Sequence, residues 1–205
     1  MKLVIIDYGA GNTKSVKFAL GRLGLAPVLS NDKEVIAGAD KIIFPGVGHA
    51  KAAMEVLAAN GLHTFIPTLK QPVLGICLGM QLLCAHSEEG DIPCLGIIDE
   101  TVKLFEPKLK VPHTGWNQCE HVVDGNSQKA RFLTSETSVR NDKSTAHYYF
   151  VHSYYVPVNQ YTTLSCNYIN DFSAAVQKDN FYGAQFHPEK SGLAGEQYLK
   201  WFLAL

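Results

Sequence analysis

A chain of 205 residues, 46% of them hydrophobic, is long enough to bury a sizeable core without disulfide or metal staples. A formal net charge of -1 with no long Lys/Arg run argues against a nucleic-acid ligand, and the "LVIID" run after Met1-Lys2 is too short for a signal peptide or membrane span. The cytoplasm is therefore the expected location. Five cysteines, at 77, 84, 94, 119 and 166, without a C-x-x-C, suggest neither a disulfide framework nor a structural zinc site, and no metal or cofactor is expected.

Leu3 to Ile6 reads as a buried strand running into a glycine loop, "DYGAGN". Apolar residues at 16, 19, 20 and 23 predict a helix over 15–23, stopped by Gly24. Pro27 to Ser30 is a short second strand, and Lys41 to Phe44 a third that breaks at Pro45-Gly46. A helix follows over 50–59. "PVLGI" predicts the fourth strand, and 78–86 the helix after Cys77. This alternation, with near-continuous apolar strands, predicts a parallel sheet covered on both faces.

Beyond residue 90 the pattern changes. "TVKLFEP" and the stretches near 146–156, 162–169 and 174–178 are rich in Tyr, Phe, Val and Thr and broken by Asn, Asp and Gly, which predicts antiparallel strands. Tyr182 to Phe186 returns to a strand with polar residues just beyond it. The last dozen residues predict a helix with Leu193, Tyr198, Leu199, Phe202 and Leu203 facing the core. No repeat or clean linker divides the chain, so residues 1–205 read as one α/β domain.

Three polar loops follow strands: Pro45-Gly46-Val47-Gly48, the turn at Cys77, and His187-Pro188-Glu189. Loops at the carboxyl ends of parallel strands form the usual active-site crevice. Gly75 and Gly79 flank Cys77, as a nucleophile on a crowded strand-to-helix turn requires. An imidazole can take the thiol proton, and a carboxylate can hold that imidazole in one tautomer. His187 and Glu189 suit those roles if they lie on one side of an extended segment. Backbone N–H groups at Val47 and Leu78 are candidates for an oxyanion site, and glycines beside Val47 would let its peptide reorient. Gln81, one helical turn past Cys77, is placed to present its amide to whatever Cys77 attacks. His49, His63, His86 and His121 show no partner pattern. From these residues alone the choice stays open between a thiol hydrolase or acyl-transfer enzyme and a protein that merely buries a cysteine.

"PGVGHAKAAM", "GICLGMQLL" and "QFHPEKS" resemble the signatures of class I glutamine amidotransferases. The resemblance implies an α/β fold whose central, mostly parallel sheet is flanked by helices and carries an antiparallel extension. It also implies a glutaminase with Cys77 as nucleophile, His187 as general base and Glu189 as the orienting carboxylate. "DYGAGN", "KVPHTGWN" and "HSYY" narrow the resemblance to the branch serving histidine biosynthesis, whose members form a heterodimer with a separate (βα)8-barrel cyclase and pass it ammonia. On that pattern Gly48, Gln81, His152, Ser153 and Tyr154 lie near bound glutamine, and Asn12 and Lys190 lie on the face that meets the cyclase. One departure is Thr114, where the family usually carries methionine. The rivals are another class I glutaminase subunit and a non-catalytic regulatory subunit on the same fold.

Overall fold

The computed structural model describes residues 1–122 and 145–205. In its first half β1 (Leu3–Ile6), α1 (Thr13–Arg22), β2 (Val28–Ser30), α2 (Lys33–Ala37), β3 (Lys41–Gly46), α3 (Ala50–Ala59), α4 (Leu62–Phe65) and β4 (Val73–Cys77) alternate as expected, with α2 and α4 as short additions. There follow α5 (Leu78–Leu82), β5 (Cys84–Ser87), β6 (Ile92–Pro93), β7 (Ile98–Leu104), β8 (His113–His121), β9 (Thr145–His152), β10 (Tyr154–Tyr155), β11 (Thr162–Asn167), β12 (Asp171–Lys178), β13 (Phe181–Ala184) and α6 (Gly192–Ala204).

Among the described residues the main sheet has nine strands, in the order β2-β1-β3-β4-β13-β12-β11-β8-β9. Pairing is parallel from β2 through β13 and antiparallel from β13 through β9. The antiparallel extension is therefore as extensive as the parallel part and continues the same sheet. A smaller sheet, β10-β7-β5-β6, lies apart from it.

Two apolar cores explain the unbroken hydrophobic strands. Val4, Ile6, Ile42, Phe44 and Val73 enter one core, and Leu3, Ile5, Ile43, Leu74 and Ile76 the other. Alternate residues on one strand thus serve opposite faces, and both faces are dry. No helix among the described residues is long and apolar enough to cross a membrane.

Two expectations change. The helix after Cys77 ends at Leu82, and Cys84–Ser87 leaves it as a strand. Pairing of Cys84 with Ile98 and of Ser87 with Val102 draws this segment into the small sheet, so tertiary pairing overrides a helix-like apolar run. Leu193 does not face the core; it is 79% exposed. The buried stripe of α6 is Gly195, Tyr198, Leu199 and Phe202, and position 193 lies off that 3.6-residue phase. In addition, β8, which carries no apolar alternation in sequence, pairs with β9 from His113 to Glu120.

Candidate active site

The carboxyl ends of β3, β4 and β13 converge, with Gly46 opposite Cys77 and Ala184 opposite Ile76 in the sheet register. Glycines make this convergence possible. A Cβ on Gly79 would sit 1.9 Å from the Phe44 carbonyl oxygen, and one on Gly75 2.7 Å from the Gly79 oxygen. With those atoms absent, α5 folds directly back over β3 and β4.

Cys77 is the corner. Its φ of 53° and ψ of -112° lie where a side chain is strained, as in a nucleophile elbow. It lines a cavity of about 350 Å³ together with Val47, Gly48, Leu78, Gln81 and Glu89. His152, Ser153, Tyr154, His187 and Lys190 contribute to the same wall.

His187 Nδ1 lies 2.8 Å from Glu189 Oε1, and both side chains are buried. The segment is not extended, as expected, but enters a 3-10 turn over Pro188–Lys190, which carries the carboxylate beside the ring. The main chain is pinned at both sides: His187 N–H donates to the Tyr149 carbonyl, and Ser191 Oγ donates to the His187 carbonyl while accepting from the Tyr149 N–H. Burial alone would lower the His187 pKa, but hydrogen bonding and charge from Cys77 and Glu189 outweigh it and raise the pKa to about 9. His187 Nε2 has no hydrogen-bond partner among the described residues.

The other expected residues divide. The Val47 N–H is bonded to the Ala10 carbonyl at 3.4 Å. Gly48, beside it, has φ of +98°, a conformation glycine tolerates. Gln81 lines the cavity, but its amide nitrogen donates to the Tyr154 carbonyl and to Gln185 Oε1, both at 2.9 Å. Its N–H groups therefore hold protein, and its oxygen is the atom left for other partners. Asn12 does not line the cavity; its Oδ1 caps α1 by accepting from the Ser15 N–H. Lys190 sits at the rim, its Nζ 6.0 Å from the Tyr149 ring centroid. Thr114 is exposed on β8.

Two further residues carry no expected role in the sequence, although Gln185 opens the "QFHPEKS" stretch. Glu89 reaches the cavity from the turn after β5, its Oε2 accepting the Ala50 N–H at 2.6 Å. Gln185 is fully buried, its Nε2 3.8 Å from Cys77 Sγ. A glutamate in a polar turn and a glutamine within an apolar strand end look ordinary until the fold brings them to the thiol.

The chain belongs to the class-I glutamine amidotransferase family, whose pattern matches residues 4–205. Solved structures agree at the level of fold: "Crystal structure of glutamine amidotransferase" superposes with a TM-score of 0.72 at 18% identity, covering 98% of this chain and 97% of that one. "Structure of PurLQS from Thermotoga maritima" gives 0.69 at 17% identity, over 99% and 97%. Within the family, the chain is 52% identical to the imidazole glycerol phosphate synthase subunit HisH of Bacteroides fragilis strain YCH46, with all of both chains covered. The HisH subunits of Bacteroides thetaiotaomicron and Escherichia coli K12 are 51% and 48% identical, again over both full chains. The HisH subunits are the branch to which this chain is joined by sequence.

Proposed function

We propose that this chain, residues 1–205 acting as one amidotransferase domain, is the cytoplasmic glutaminase subunit of an imidazole glycerol phosphate synthase. It hydrolyses glutamine to glutamate and ammonia and passes the ammonia to a (βα)8-barrel cyclase with which it forms a heterodimer. The cyclase uses the ammonia to make imidazole glycerol phosphate and an aminoimidazole carboxamide ribotide in histidine biosynthesis. The observation that carries the reading is Cys77, strained at φ 53° on the cavity wall, with the His187–Glu189 pair on the same wall.

Cys77, its proton already passed to His187, attacks the side-chain amide carbon of glutamine as the thiolate. His187 then protonates the departing ammonia, leaving a glutamyl thioester, and activates water to release glutamate. Glu189 holds the ring and supports its positive charge without accepting the proton. The substrate is a zwitterion. Of the cavity-lining residues only Glu89 offers a carboxylate on the open wall, and it suits the α-ammonium group. Gly48, Gln81, His152, Ser153 and Tyr154 border the rest of the substrate. The tetrahedral oxyanion needs the N–H groups of Val47 and Leu78. Since the Val47 N–H rests on the Ala10 carbonyl, the Gly46–Val47 peptide that carries it must turn over to serve.

The cyclase would cover the cavity mouth, with Asn12 and Lys190 on that face. Trp116, 57% exposed, stands beside Gly192, and Leu193 follows it. Exposed large apolar side chains near a site that must exclude water suit a subunit interface. The test compares Cys77→Ser with the wild type in complex with the cyclase. Glutamine-dependent synthesis is expected to vanish and ammonium-dependent synthesis to persist. Full glutamine-dependent activity in the variant would remove Cys77 from the reaction.

A further inference from the structure

A continuous series of hydrogen bonds joins Cys77 to β8, and two backbone carbonyls, which can only accept, determine its direction. Asn117 Nδ2 donates to the Asn167 carbonyl at 2.8 Å and lies 3.4 Å from His113 Nε2. His113 Nδ1 lies 3.0 Å from His152 Nε2, and His152 Nδ1 lies 2.8 Å from the Tyr154 carbonyl. Because that carbonyl accepts, His152 carries its proton on Nδ1, its Nε2 accepts, and His113 donates from Nδ1. The same Tyr154 carbonyl accepts from Gln81 Nε2, whose other N–H goes to Gln185 Oε1. Gln185 must then direct its nitrogen, and not its oxygen, at Cys77 Sγ, 3.8 Å away. Turning either amide over would set two oxygens or two N–H groups against each other.

The sulfur has a second neighbour, the Val151 carbonyl at 4.0 Å. That oxygen can serve only a protonated thiol. The Gln185 N–H can serve a thiolate, and because Gln185 is fully buried, water does not compete for that donor. We infer that Gln185 is a catalytic residue of this chain, a thiolate-binding donor oriented by Gln81 and the Tyr154 carbonyl, which favours the reactive form of Cys77. This rests on the reading of Cys77 as the nucleophile. The other titratable groups around the sulfur are His187, with Glu189 and His152 near its ring, and the buried Tyr8 phenol. Lys190, Glu89 and Tyr154 share the cavity wall. All are unchanged by substitution at 185.

The experiment follows iodoacetamide alkylation of Cys77 against pH in the full chain, resolved by peptide mass spectrometry. Gln185→Leu removes the donor. Gln185→Glu keeps an acceptor for Gln81 and replaces only the sulfur-facing N–H. Both are expected to raise the alkylation midpoint by about one pH unit or more, a tenfold loss of thiolate below the midpoint, equivalent to about 1.4 kcal/mol. The glutamate is expected to raise it further than the leucine, because it adds a like charge. In the wild type, the ¹⁵N-labelled side-chain amide of Gln185, assigned through its own backbone, is expected to shift with the same midpoint as alkylation. An unmoved midpoint in a folded variant, or a wild-type amide that stays still across the alkylation midpoint, overturns the inference. Should neither variant fold, the wild-type amide decides it. If instead another cysteine is alkylated in preference to Cys77 in the wild type, it is the nucleophile assignment that fails.

Discussion

His187 has its charge set by competing neighbours. Burial favours the neutral ring, while Cys77 and Glu189 favour the cation and prevail, so the folded pKa of about 9 exceeds the usual value near 6.5. The stabilisation from this shift is complete below about pH 6.5 and is lost as pH rises through about 9. Glu189→Gln should therefore lower the urea midpoint most at pH 6, with the gap closing between pH 6.5 and 9. An equal gap at pH 6 and pH 9.5 would show that Glu189 supports the ring by packing alone. The same variant should retain residual glutaminase activity in the complex, whereas His187→Ala should retain almost none, because Glu189 transfers no proton.

At the scale of elements, the site depends on how closely α5 lies on β3 and β4. A Cβ at Gly79 would fall 1.9 Å from the Phe44 carbonyl oxygen, and that backbone is buried and cannot yield cheaply. Gly79→Ala should cost about 3 kcal/mol or more by forcing the elbow off the sheet. Gly21 sits in α1 with nothing within 4 Å of an added Cβ. Gly21→Ala should stabilise by about 0.5–1 kcal/mol, since it only removes backbone freedom from the unfolded chain and improves helix propensity. Urea denaturation of both variants checks the pair. Similar effects of the two substitutions would mean that the elbow tolerates far more space than its contacts allow.

Across the whole molecule, the proposed oxyanion role of the Val47 N–H, which is bonded to the Ala10 carbonyl, implies that the site gains its catalytic geometry in the complex. The isolated chain should release glutamate slowly, and the complex with nucleotide-loaded cyclase much faster. A hundredfold rise corresponds to about 2.7 kcal/mol, which one correctly turned oxyanion-hole N–H can supply. Steady-state glutamate release from the chain, the complex and the loaded complex checks this; equal kcat/KM in all three would exclude the turning peptide. Trp116, largely exposed on β8, should anchor the subunit contact. Trp116→Ala is expected to weaken association by about 2 kcal/mol, roughly thirtyfold in Kd by calorimetric titration, without changing the urea midpoint of the free chain.

Much of this protein was determined by local sequence. The runs "LVII", "KIIF" and "VLGIC" are apolar on both faces, so they had to be strands covered on both sides, and α1 and α3 repeat apolar residues at helical spacing. The glycines around Cys77, and the histidine and glutamate after a strand, mark the proposed triad because that chemistry needs those residue types at close spacing. Other features were decided by tertiary structure. Residues 84–87 became a strand only because β7 offered an edge, and β8 shows just two buried side chains, His113 and Cys119, to betray its pairing. Leu193 lies outside the core because a glycine-rich helix start leaves the phase of the buried stripe undefined until α6 packs. The 3-10 turn beside His187, the approach of Glu89 and the direction of the Gln185 amide share one cause. Each depends on which backbone carbonyl or strand end arrives from far along the chain, and local propensity carries no information about that.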